Sequence, residues 1–154
     1  MDEDLRPRHN PENNIAQYLR LALSVSSDEQ QEFFQYQLDH LQQITLSPIP
    51  KKYRRYINSH CTPKGCWNNS LKLSLKYPEV EYCEGWILVH GIPIEHAFNK
   101  IGDQYFDPTI MRENFEYYLV QVLNFEDLKP IAGHRLLEIS TPFKIWFHEH
   151  RAEL

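Results

Sequence analysis

The hydrophobic period of this chain changes once, near residue 80, and that change constrains the fold more than any other feature. Before it, apolar residues recur at helical spacing; after it, aromatic and β-branched residues alternate as in strands. Ile15, Tyr18, Leu19, Ala22 and Leu23 predict an amphipathic helix over about 13–24. Ser27 and Gln30 have capping-box spacing, and Phe33, Phe34, Leu38, Leu41 and Ile44 carry a second helical stripe to about residue 45. The two read as a helical hairpin whose glutamine-rich face meets water. Ser47-Pro48-Ile49-Pro50 ends it.

His60-Cys61-Thr62-Pro63-Lys64-Gly65-Cys66 reads as an irregular loop. Leu71, Ser74 and Leu75 mark one face of a short helix from Asn68 to Tyr77, stopped before Pro78. Cys66 therefore falls at or next to a helix N-terminus. Beyond the change of period, Tyr82 to Val89 reads as a strand, His90-Gly91 as a turn, Ile94 to Lys100 as a second strand, Gly102-Asp103 as another turn and Gln104 to Asp107 as a third strand. Met111 to Phe115 suits a turn or short helix, Tyr117 to Leu123 a further strand, and about 125–139 a helix. Helices followed by a strand meander predict an α+β class, with N-terminal helices and a Cys-bearing helix packed on an antiparallel sheet. The expected organisation is a polar leader over 1–13, containing Pro7 and Pro11, then one α+β domain over 14–154, divided into the hairpin (14–46) and a core (56–154).

A chain of 154 residues can bury a core without disulfide staples. Its net charge of −5 argues against nucleic-acid binding through overall positive charge. One local exception is Lys51-Lys52-Tyr53-Arg54-Arg55-Tyr56, where basic residues and tyrosines interleave as in phosphate-gripping, base-stacking surfaces. A solvated charged face is the simpler reading, so nucleic acid is not the expected partner. No apolar run approaches the roughly 20 residues that span a bilayer, and the acidic start lacks a secretory signal. These features predict a cytoplasmic protein without a membrane partner. Three cysteines are an odd count, which suits free thiols in a reducing compartment better than a disulfide framework.

Cys66, His96 and Asp107 combine into a chemistry. A thiol is nucleophilic as thiolate, and a helix N-terminus favours that charge. An imidazole accepts the thiol proton and returns it to a leaving group. A carboxylate on the far ring nitrogen fixes the tautomer and steadies the imidazolium. His96 and Asp107 lie 11 residues apart on consecutive predicted strands, with the Gly102-Asp103 turn between them. Alternation puts Ile94, His96 and Phe98 on one face, and Tyr105 and Asp107 on one face of the next strand. The backbone N–H of Cys66 is the default oxyanion donor, with Asn58 or His60 as side-chain candidates. Asn68 suits a role in capping the helix or orienting the loop, and Trp67 and Trp86 are candidate walls of a water-excluding cleft.

Gly65-Cys66-Trp67-Asn68-Asn69-Ser70, Glu84-Gly85-Trp86, Glu95-His96-Ala97-Phe98 and Tyr105-Phe106-Asp107-Pro108-Thr109 resemble the Cys, His and Asp motifs of transglutaminase-like proteins. That superfamily shares a papain-like core with arylamine acetyltransferases and cell-wall amidases. The resemblance runs from His60 to Ile110 and suggests a bacterial or phage-type member. It implies a papain-like fold and a thiol hydrolase or acyl transferase: peptidase, amidase, deamidase or transglutaminase-like. Cys66, His96 and Asp107 would be its triad, with no cofactor, no metal, and a protein, peptide or other amide as substrate. The Cys-proximal segment departs from the family in lacking an extended hydrophobic helix.

Other readings stand beside this one. Cys83 reads as core, and Glu84 as either solvent-facing or lining the cleft. His60, Cys61, Cys66, Cys83 and His90 raise a zinc module, although their spacing is loose for paired ligand motifs. Cys61 and Cys66 are candidates for a redox-sensitive disulfide. His148 and His150 read as tail residues. A non-catalytic binding or regulatory protein on the same fold is the alternative function.

Overall fold

The computed structural model describes residues 14–110 and 115–154. The predicted leader over 1–13, and all but Phe115 of the predicted turn at Met111 to Phe115, lie outside the described residues. The elements are α1 (Asn14–Val25), α2 (Asp28–His40), β1 (Gln42–Ile44), α3 (Lys51–His60), α4 (Cys66–Lys76), β2 (Glu81–Val89), β3 (Ile92–Ile101), β4 (Gln104–Phe106), β5 (Glu116–Leu123), α5 (Phe125–Leu128) and α6 (Pro142–His150). The strands form one antiparallel sheet in the order β1-β5-β2-β3-β4. The architecture is mixed α+β, with α4 packed on β2 and β3.

Local chemistry sets the hairpins. His90 (φ 52°) and Gly91 (φ 80°) are both left-handed, as a two-residue turn requires, and they pair Val89 with Ile92 and Glu81 with Lys100. Gly102 (φ 57°) turns β3 into β4, so Asn99 faces Phe106. Gly85 lies at a bulge where β5 comes so close that a Cβ would sit 1.9 Å from the Tyr118 carbonyl oxygen.

The sheet is buried on both faces. Cys83, Ile87, Phe98, Tyr117 and Leu119 pack with Ile44 in one cluster. Trp86, Tyr118 and Val120 meet Ile15 and Leu19 of α1 and Phe143 and Phe147 of α6. Tyr82, Ala97 and Leu123 meet Cys66 and Leu71 of α4 and Leu128 of α5. Cys83 is core, as expected.

Several expectations are corrected. The second helix ends at His40, because Gln42–Ile44 pairs with the edge of β5. Ser27 is its N-cap residue but makes no side-chain capping bond. The glutamine-rich face does not wholly meet water: Gln37 is buried and accepts a 2.9 Å hydrogen bond from Trp86 Nε1. The helix expected over 125–139 breaks after Leu128, near Pro130, and only a 3₁₀ turn follows at Arg135–Glu138. The C-terminal segment forms α6, with Thr141 accepting from Lys144 N at 3.3 Å, so His148 and His150 are helical. The Lys51–Tyr56 block opens α3. Tyr53 turns inward to donate to Glu79 at 2.8 Å, so the two tyrosines do not form an exposed stacking surface. Among the described residues, no helix is long and apolar enough to cross a membrane.

Candidate active site

Cys66 is the first residue of α4, with Gly65 as N-cap. The helix begins there because Asn69 N bonds Gly65 O at 2.7 Å, closing the first turn. Its buried residues are Cys66, Asn69, Ser70, Leu71, Leu73 and Ser74, a stripe at i, i+3, i+4, i+7 and i+8 broadened by Leu71. The expected face of Leu71, Ser74 and Leu75 is part of it: Leu71 and Ser74 are buried and Leu75 packs against the same cluster, while the polar Asn69 and Ser70 extend the buried stripe beyond what an apolar count reveals. Asn99 of β3 secures it, donating to Ser70 O at 3.1 Å and Ser74 Oγ at 3.1 Å.

His96 lies on β3 opposite Gly85, and its Nε2–H donates to Asp107 Oδ2 at 2.7 Å. The Cys66 thiol lies close enough to the imidazole to favour a proton on the ring. Burial opposes a charge on His96, but the Asp107 carboxylate, which accepts from the ring, and the nearby Cys66 outweigh it, raising the ring to about 9. Asp107 lies just past β4. Its Oδ1 accepts from Thr109 N at 2.9 Å and Ile110 N at 3.1 Å, an arrangement that fixes the carboxylate from its own loop. The strand expected over Gln104 to Asp107 ends at Phe106, and Asp107 belongs to this turn.

Two residues that sequence reasoning missed complete the network. The Tyr117 hydroxyl of β5 donates to Asp107 Oδ2, and its ring meets His96 edge-on at 5.8 Å. Burial foremost, then the Asp107 charge, keep that phenol protonated. Asn69 accepts from Thr62 N at 3.0 Å and donates to Thr62 O at 2.7 Å and Thr109 Oγ1 at 2.9 Å. It thus ties the loop before Cys66 to the loop after Asp107. Asn69 stood inside the quoted Cys motif, three residues beyond the thiol, but its partners are set by tertiary folding.

The three groups are gathered but well covered: Cys66 is 9% exposed, His96 3% and Asp107 2%. The other candidates separate. Asn58 lines a cavity of about 690 Å³ beside Asp107, with Cys61 and Thr109. His60 stacks on Tyr56 at 4.1 Å and is held to Tyr56 O at 3.1 Å. Neither joins the hydrogen-bond network of the three among the described residues. Trp67 and Trp86 do line one cavity, of about 670 Å³, and Asn68 lines another with Trp67, of about 520 Å³.

Glu84 meets neither alternative foreseen for it. It is buried between sheet and α6, accepting from Tyr82 OH at 2.7 Å and Phe143 N at 2.9 Å. Burial pushes its carboxyl up to about 7, against the pull of those donors and Thr141. Cys61, Cys66 and Cys83 are free thiols. No three His, Cys, Asp or Glu side chains among the described residues converge as metal ligands, so the five residues raised for zinc are not brought together. Comparison of the chain with protein-family models, curated proteins and solved structures finds no match.

Proposed function

We propose that the protein is a thiol-dependent hydrolase or acyl transferase built on a papain-like, transglutaminase-like core. The observation that carries this reading is the 2.7 Å His96–Asp107 bond, on a ring that also feels the nearby Cys66 thiol at a helix N-terminus. Cys66 Sγ gives its proton to His96 and attacks a carbonyl carbon, forming a C–S bond and an oxyanion. The Cys66 backbone N–H stands at the helix start, where N–H groups lack intrahelical partners, and serves as oxyanion donor. Collapse of the adduct expels an amine, which takes the His96 proton and leaves an acyl-thioester. Water or a second amine, deprotonated by His96, then releases the acyl group and the thiol. Asp107 holds the imidazolium throughout, and Tyr117 holds Asp107.

Iodoacetamide tests the nucleophile. Between pH 5 and 8, Cys66 is expected to alkylate faster than the same thiol in urea-unfolded chain, and His96→Ala to abolish the advantage. An equal or slower rate in the folded protein overturns the proposal.

The 9% exposure of Cys66 favours one further reading, a binding or regulatory protein that keeps the fold without turnover. Under it, Cys66→Ala retains the protein's biological effect; loss of that effect with intact partner binding rejects it.

A further inference from the structure

The outer edge of β3 is mostly uncovered by strand. β4 pairs only with Asn99–Ile101, and His96, Ala97 and Phe98 are buried by other parts of the fold, so among the described residues the open stretch of this edge is 92–95. Ile92 is 61% and Ile94 43% exposed there. Pro93 suits such a place, since proline within a sheet is confined to edges. Over this stretch lies the cavity of about 670 Å³, lined by Pro93, Ile94 and Glu95. Its far wall comes from the N-terminal hairpin, with Tyr18 of α1 and Phe33 and Phe34 of α2 facing Trp67 and Trp86. The cavity of about 520 Å³ shares Trp67, Glu95 and Lys144 with it and adds Gly65. The residues on either side of Cys66, and the one preceding His96, thus line a single run of cavities.

We infer that this groove is the cleft where an extended polypeptide substrate docks, its backbone adding to the free edge of β3 and a large apolar or aromatic side chain entering between Trp67 and the hairpin. The inference rests on the thiol reading above and adds the substrate class and its subsite. Strand addition supplies sequence-independent affinity through main-chain hydrogen bonds, while a side-chain pocket supplies selectivity. Both cavity volumes fall in the range of ligand sites. The aromatic wall suits a ring or long aliphatic chain, because offset and edge-on ring contacts add to burial; Tyr18 and Trp86 already meet in this way at 5.4 Å. The hairpin lies outside the stretch from His60 to Ile110 that carries the resemblance, so the selectivity belongs to this chain's own addition.

The probes are two acetyl-tripeptide chloromethyl ketones, differing only in phenylalanine or glycine at the central residue, with iodoacetamide run in parallel on the full chain. Phenylalanine is expected to label Cys66 at least tenfold faster than glycine. Trp67→Ala is expected to remove that preference, and Ile94→Asp, at an exposed position, to reduce it severalfold. A fast iodoacetamide reaction with no preference for phenylalanine, or a preference that survives both substitutions, overturns the cleft and leaves the thiol reading standing. Should iodoacetamide show an unreactive thiol, the thiol reading falls. The cleft is then judged on Cys66→Ala protein with a heptapeptide library. Enrichment of aromatic residues that Ile94→Asp abolishes supports it, and no enrichment overturns it.

Discussion

Asn69 donates to Thr109 Oγ1 at 2.9 Å, so the helix that presents Cys66 is fastened directly to the loop that presents Asp107. The same side chain brackets Thr62 through both its amide atoms, and it is fully buried. Asn69→Ala leaves Thr62 N–H and O and the Thr109 hydroxyl without these partners. Thr62 is exposed and Thr109 half-buried, so water takes over part of these bonds, and each counts for roughly 1 kcal/mol. The expected loss is about 3 kcal/mol in urea unfolding, with slower alkylation of Cys66 at concentrations where the variant remains folded.

His96 ties its charge state to stability. Its ring is raised to about 9 in the folded protein, against an ordinary value near 6.5. The proton binds more tightly to the folded state, so its stabilisation is fully present below about pH 6.5 and is lost as pH rises through about 9. Comparison with His96→Gln should therefore show the wild-type advantage in urea midpoint shrinking across that window. Asp107→Asn should lower the His96 midpoint read by ring-proton NMR.

Glu84 acts in the same direction at lower pH. Its carboxyl is raised to about 7 in the fold, above its ordinary value of 4.5. Stability is then greatest below about pH 4.5 and falls as pH rises through about 7, by about 3 kcal/mol for a shift of this size. Glu84→Gln has no such slope. The stability difference between variant and wild type should move toward glutamine over that interval and level off above it.

At Gly85 the neighbouring strand leaves no room. Alanine would place its Cβ 1.9 Å from the Tyr118 carbonyl oxygen, a backbone atom in the middle of the β2–β5 ladder. Gly85→Ala should cost more than about 3 kcal/mol or abolish folding, as circular dichroism and urea titration would report. Gly133→Ala, where a Cβ meets nothing within 4 Å, should stay near wild type.

Tyr117 tests how Asp107 is held. Tyr117→Phe removes a buried hydroxyl donor while keeping the ring against His96. Its expected cost is roughly 1–2 kcal/mol, with a slower Cys66 alkylation rate and no change in fold by circular dichroism.

The amino-acid sequence by itself determined what is local. The change of period near residue 80 separated helices from strands, His90-Gly91 and Gly102-Asp103 set the meander, and Pro63-Lys64-Gly65 placed Cys66 at a helix start. The sequence put His96 and Asp107 on or beside consecutive strands; the register, with Asn99 opposite Phe106, and the turn that Asp107 makes past β4 brought them into contact. The tertiary structure decided whatever needs a distant partner. Gln42–Ile44 carries helical apolar spacing yet pairs with the β5 edge, because an unpaired strand edge offers main-chain bonds that local propensity cannot outweigh. Gln37 is buried only because Trp86 needs an acceptor, Glu84 only because α6 folds over it, and Asn69 and Tyr117 enter the site through residues 40 and 10 positions away. Periodicity reports which face of an element is apolar; it carries no record of which polar atom waits on the other side of the core.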